Sequence, residues 1–141
     1  MDRNEYNKYK REYMRGYSKT DKYKENHRKW QKEYLGKNPK IRLGRSIGAL
    51  IYFSLRQRKA GRKWEDIVGY SIQDLTKHLE KQFDSNMSWE NYGSYWWIDH
   101  IRPISLFDYE VSNDQEFKKC WALENLRPLE KITNIKKRDK C

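Results

Sequence analysis

The run Gly36-Lys37-Asn38-Pro39 cuts the chain into two parts that must fold by different physics, because glycine and proline both disfavour continuation of a helix. Ahead of it, Asp2 to Tyr34 is polar, basic and punctuated by aromatic rings, with no apolar face broad enough to bury a core. Tyr6, Arg11, Tyr13 and Tyr17 recur seventeen positions later as Tyr23, Arg28, Trp30 and Tyr34, a two-copy echo that reads as helical arms. Charge follows the same division. Residues 1–45 hold fifteen Lys and Arg against six Asp and Glu, a net of +9, whereas residues 46–141 hold sixteen against fourteen, a net of +2. A positive field concentrated at one end implies a polyanionic partner for that end. Two readings of the arm stay open: one that lies along DNA, with cations on phosphates and rings on sugars or bases, and a solvated, partly disordered charged helix.

Beyond the break, Leu43, Ile47, Leu50, Ile51, Ser54 and Leu55 follow helical spacing and predict an amphipathic helix from about Ile41 to Arg58. Its apolar face reads as core. The cluster at its end, Arg56, Arg58, Lys59, Arg62 and Lys63, reads as phosphate contacts. Ser71 three residues before Asp74 forms a capping-box pattern, and Leu75, His78, Leu79 and Phe83 continue one stripe of the helix that follows. His78 on that stripe reads as a hydrogen-bonded interior histidine, and His27 as a surface residue. A mean hydropathy of −1.24 limits the core, yet six Trp, eleven Tyr and four Phe supply large apolar surfaces to build it. Trp89, Trp96, Trp97, Trp121, Pro103 and Phe107 read as packing. Cys120 and Cys141 are too few for a zinc knuckle, and nothing in the sequence resembles a secretory signal or a membrane span, so a cytoplasmic protein with reduced thiols and no membrane partner is expected.

Chemistry concentrates in three later segments: Trp97-Ile98-Asp99-His100-Ile101-Arg102-Pro103, Asn125-Leu126-Arg127-Pro128-Leu129, and Asn134-Ile135-Lys136-Lys137. Ser94 to Ile101 is rich in aromatic and β-branched residues and predicts a strand. Leu123 to Leu126 predicts a second strand interrupted by Pro128, and a helix is expected to begin between Leu129 and Thr133. Between the strands, a short helix is expected through Phe117 to Trp121. Neighbouring side chains on a strand point to opposite faces, so Asp99 can hold a divalent cation while His100, with an ordinary pKa near 6.5, takes a proton from water. Asn134 would add a second oxygen to the metal. Asn125, with two donors and an acceptor, can tie backbone across the excursion from Arg102 to Glu124 and keep the imidazole aimed.

This order and spacing resembles the HNH, or ββα-metal, family of endonucleases common in phages and mobile elements. The resemblance extends upstream through Gly61-Arg62-Lys63-Trp64-Glu65, Val68-Gly69-Tyr70, Asp74-Leu75, His78-Leu79-Glu80, Phe83 and Met87-Ser88-Trp89-Glu90-Asn91-Tyr92-Gly93, roughly the last two thirds of the chain. It implies an α+β fold: a basic, largely helical arm (1–38), a helical scaffold (39–93) and a C-terminal ββα-metal nuclease unit (94–141). It also implies catalytic His100 and Asn125, metal ligands Asp99 and Asn134, and hydrolysis of DNA to 5′-phosphate and 3′-hydroxyl ends, in a phage-infected or bacterial cell. Many relatives carry histidine where Trp97 and Asn134 stand. An amide oxygen in the last place favours Mg²⁺ or Mn²⁺ over Zn²⁺. Arg102, Arg127, Lys136, Lys137 and Arg138 join the expected DNA contacts, with pairing to Glu124 or Glu130 as the other reading of the two flanking arginines. One site per chain cuts one strand, which leaves monomer and homodimer both open. The competing expectation is a nucleic-acid-binding module on the same scaffold with weak or no catalysis.

Overall fold

The computed structural model describes residues 1–56 and 61–138; Arg58 and Lys59 of the basic cluster, and the side chain of Arg138, lie outside the described residues. Met1–Asn38 and Pro39–Cys141 form two compact units. The first holds helices α1 (Arg3–Tyr17) and α2 (Asp21–Lys37). Asp2 caps α1 by accepting from the N–H groups of Asn4 and Glu5, Glu5 closes the capping box, and Thr20 caps α2 through the Tyr23 N–H. Neither helix buries a residue.

The second unit opens with α3 (Pro39–Ser54), and its first residue is proline, whose missing N–H costs nothing in a first turn. Leu43, Ile47, Ile51 and Leu55, each four residues after the last, are all buried. Leu50, expected on that face, is 46% exposed, because the buried stripe keeps a strict spacing of four and leaves position 50 on its flank. Next come α4 (Trp64–Val68), closed by Gly69 at φ 82°, and α5 (Ile72–Glu80), on the expected Ser71–Asp74 box. Leu75 and Leu79 of α5 face the core, and His78 Nε2 meets the Leu126 carbonyl at 2.9 Å.

The sheet has two antiparallel strands, β1 (Trp96–His100) and β2 (Leu126–Glu130), with Trp96 opposite Glu130 and His100 opposite Leu126. Helix α6 (Gln115–Cys120) lies in the connection, and α7 (Lys131–Arg138) follows β2 without a break and packs on both strands. The second strand therefore begins at Leu126, where the sequence had placed its end, while Leu123–Asn125 form a turn of 3₁₀ helix. Pro128 stands inside the strand for a geometric reason. Ile101 N–H donates to the Asn125 carbonyl and Lys131 N–H to the Tyr95 carbonyl, both at 2.8 Å, so the hydrogen-bonded pairs fall on odd-numbered residues of β1. Pro128 faces Ile98, at a pair whose N–H groups point away from the partner strand, and the ladder loses no bond.

The fold is thus α+β, mostly helical around a small sheet. Ile47 and Ile51 from α3, Leu75 from α5, Trp96 from β1, Phe117 from α6 and Leu126 from β2 belong to one core cluster. Residues 39–93 and 94–141 share that core. Ile47→Ala is accordingly expected to destabilise the second unit by about 2 to 4 kcal/mol, read from the urea midpoint by tryptophan fluorescence; a loss well below about 1 kcal/mol would contradict this packing.

Candidate functional site

Asp99 sits on β1 directly opposite Arg127 on β2 and is only 7% exposed. Arg127 Nε donates to Asp99 Oδ2 at 2.8 Å, and Lys137 Nζ, from the last turn of α7, lies 3.0 Å from each of Oδ1 and Oδ2. The same ammonium donates to the His100 carbonyl at 2.7 Å and lies 3.4 Å from the Ile101 carbonyl. Sequence reasoning had set Arg127 and Lys137 among the phosphate contacts. In the structure both reach the Asp99 carboxylate, because antiparallel register puts 127 across from 99 and helical phase puts 137 on the face of residue 134.

His100, the next residue, turns toward the core on the face of Trp96. Its ring meets Trp121 edge to face, with centroids 4.6 Å apart, and it is 9% exposed. Burial pushes its pKa down to about 4, Asp99 opposes that shift and Lys137 adds to it. The imidazole is neutral at neutral pH, as a proton acceptor must be. Nε2 is buried with no hydrogen-bond partner among the described residues.

Asn125 uses its whole amide on backbone. Its Oδ1 accepts from Arg102 N–H at 2.8 Å, and its Nδ2 donates to the carbonyls of Arg102 and Cys120 at 3.1 and 2.9 Å. One side chain thereby fastens the chain just after His100 to the end of α6 and to the start of β2.

Asn134, on α7, lines a cavity of about 500 Å³ together with Asp99, His100 and Lys137. Leu50, Pro103, Ile104 and Ile135 give it an apolar wall, so the exposed Leu50 belongs to this opening. A carboxylate and an amide oxygen beside space for water are donors of the kind a hard, hydrated cation such as Mg²⁺ or Mn²⁺ takes, while the Lys137 ammonium sits against Asp99 and the His100 carbonyl. Among the described residues, no three His, Cys, Asp or Glu side chains gather as a metal-ligating group, so few protein ligands are on offer. Arg102 is tied locally: its Nη2 donates to the Leu106 carbonyl at 2.8 Å and its guanidinium lies 4.3 Å from the Phe107 ring centroid. Arg62 donates to Ser112 Oγ at 3.1 Å, while Arg56, Lys63 and Lys136 are exposed.

In the first unit the aromatic residues form a ladder. Tyr9, Tyr13 and Tyr17 stack at 6.4 and 5.9 Å, Tyr17 meets Tyr23 edge-on at 5.4 Å, and Tyr23, His27, Trp30 and Tyr34 continue at 5.5, 5.9 and 4.9 Å. Tyr9, Tyr13, His27, Trp30 and Tyr34 are exposed, among twelve Lys and Arg in residues 1–38. Among the described residues, no helix is long and apolar enough to cross a membrane.

Two uncharacterized proteins of Acanthamoeba polyphaga mimivirus are similar to the chain. One is 38% identical over 100 residues, covering 71% of this chain and 43% of its own length. The other is 33% identical over 75 residues, covering 53% of this chain and 32% of its own length. The chain thus spans less than half the length of the curated relatives it matches. No family model matches it. No solved structure matches it either.

Two outcomes follow from the site's geometry. His100 binds its proton below about pH 4 when folded and near 6.5 when unfolded, so the unfolded state takes up more protons between these values and stability falls as pH drops through that window. Denaturant titrations in EDTA should show about 3 kcal/mol of such loss that His100→Gln lacks; parallel pH profiles would refute the burial argument. Asn125→Asp, which sets a carboxylate against two carbonyls, should destabilise by about 2 to 3 kcal/mol at neutral pH. Thermal melts check this second expectation, and an unchanged Tm would contradict it.

Proposed function

We propose that the chain is a metal-dependent DNA endonuclease of the HNH, or ββα-metal, type. The observation that carries this reading is the convergence of Asp99, His100 and Asn134 on one cavity, with Asn125 bracing the loop behind them. Two antiparallel strands followed at once by a helix match the order of elements in that family. Asp99 and Asn134 are the proposed ligands of a Mg²⁺-class ion. When bound, that ion would supply Lewis-acid stabilisation of the charge that develops on the phosphate.

His100 is the general base that takes a proton from the attacking water; burial leaves it neutral in the free protein and lowers its basicity, which the charge of an approaching phosphate would raise again. Asn125 acts as a positioning residue, because its three bonds set the backbone on which His100 stands. In-line attack on the scissile phosphodiester leaves a 5′-phosphate and a 3′-hydroxyl. Exposed Arg56, Lys63 and Lys136 would meet phosphates, and the cations and exposed rings of the basic arm would offer a nucleic-acid contact of their own.

One observation favours the second reading, a nucleic-acid-binding module without catalysis: the carboxylate of Asp99 is already paired with two cations. Incubation of supercoiled plasmid with Mg²⁺, Mn²⁺ or EDTA separates the two. Metal-dependent nicking, lowered at least about 100-fold in His100→Ala with DNA binding retained, is the outcome expected of the endonuclease. A salt-sensitive gel shift without nicking in any metal would favour the binder, and unimpaired cutting by His100→Ala would remove the assigned base.

A further inference from the structure

Lys137 is one of a run of basic residues at the end of the chain, yet its head group is drawn inward, and the side chain is only 26% exposed. Around Nζ stand four oxygens: the two of the Asp99 carboxylate and the carbonyls of His100 and Ile101, at 2.7 to 3.4 Å. An ammonium has three protons to give, so this nest offers one acceptor more than the donor can serve singly. Charged and neutral oxygens converging on one point are also what a hard divalent cation selects. Arg127 Nε meets Asp99 from the neighbouring strand at Oδ2, an oxygen it shares with Lys137.

Resting on the metal-dependent reading above, we propose that Lys137 is a built-in competitor of the divalent cation, occupying the oxygen nest at Asp99 until it is displaced. The Asp99 carboxylate already holds two cations, Arg127 and Lys137, and a divalent ion added as a third would meet strong repulsion in a partly buried site. The ion enters only as the ammonium leaves. The flexible four-carbon stem of lysine lets the head group swing out without moving α7, and a backbone phosphate in the cavity mouth is an anion to receive it. Metal loading is thereby linked to the arrival of substrate: the group that blocks the nest without DNA becomes a phosphate contact with it. Arg127 has a rigid guanidinium fixed by cross-strand register and does not take part in the exchange.

The test is Mn²⁺ binding by the 141-residue chain without DNA, followed by loss of the free Mn²⁺ signal in electron paramagnetic resonance. Lys137→Met keeps most of the stem and removes the charge, and it should bind Mn²⁺ about tenfold more tightly than the wild type or more. Lys137→Arg, which keeps the charge, should stay near the wild type. Asp99→Asn should lose the site in either background. If a folded Lys137→Met, checked by circular dichroism, binds Mn²⁺ no more tightly than the wild type while Asp99→Asn still abolishes binding, competition is disproved and the metal-site reading survives. If no variant binds Mn²⁺ in an Asp99-dependent way, both fall. Lys137→Gln repeats the comparison should the methionine variant misfold.

Discussion

The carboxylate of Asp99 binds three elements together. It stands on β1, accepts from Arg127 on β2 and is clasped by Lys137 at the end of α7. The sheet alone is two strands of five residues, too little to be stable by itself. What fixes α7 over it is packing on both strands together with this charge cluster, which is largely removed from water. Removing one member of such a cluster without a replacement leaves an unpaired charge in a poorly solvated place. The cluster borders the cavity, because Asn134 stands one helical turn before Lys137 on the same helix.

Behind the charged face, the core keeps the second half of the site in place. Trp121 presses on the His100 ring, Phe117 and Leu126 are buried in the same cluster, and Asn125 joins the loop after β1 to the end of α6. The two side chains at the end of β1 are thus governed by different forces. Asp99 is held by ion pairs and His100 by apolar packing, and burial keeps the imidazole neutral. The proposed nuclease would need an oxygen ligand beside a free base, and neighbouring residues sent into unlike surroundings could supply the two.

Local features were legible in the sequence. The Ser71–Asp74 capping box, the stripe through Leu75 and Leu79, the break before Pro39 and the backbone-tying chemistry of Asn125 each depend on residues close in sequence or on the bonding capacity of one side chain. Features that depend on pairing were not. Pro128 looked like a strand breaker because its place on a pair without ladder bonds is set by register with β1, which no local pattern states. Arg127 and Lys137 looked like surface cations for the same reason: their partner lies 28 and 38 residues away. Leu50 was misplaced because a helical stripe has a flank, and only the neighbours on α3 decide which side of it meets water.

Among possible measurements, anomalous X-ray diffraction from crystals of the chain grown with Mn²⁺ and a short DNA duplex is the most direct. A manganese peak in contact with the Asp99 carboxylate and facing Asn134, with the Lys137 head group withdrawn toward a phosphate, is the expected result. Manganese bound only elsewhere, with Lys137 still seated on Asp99 beside bound DNA, would contradict it.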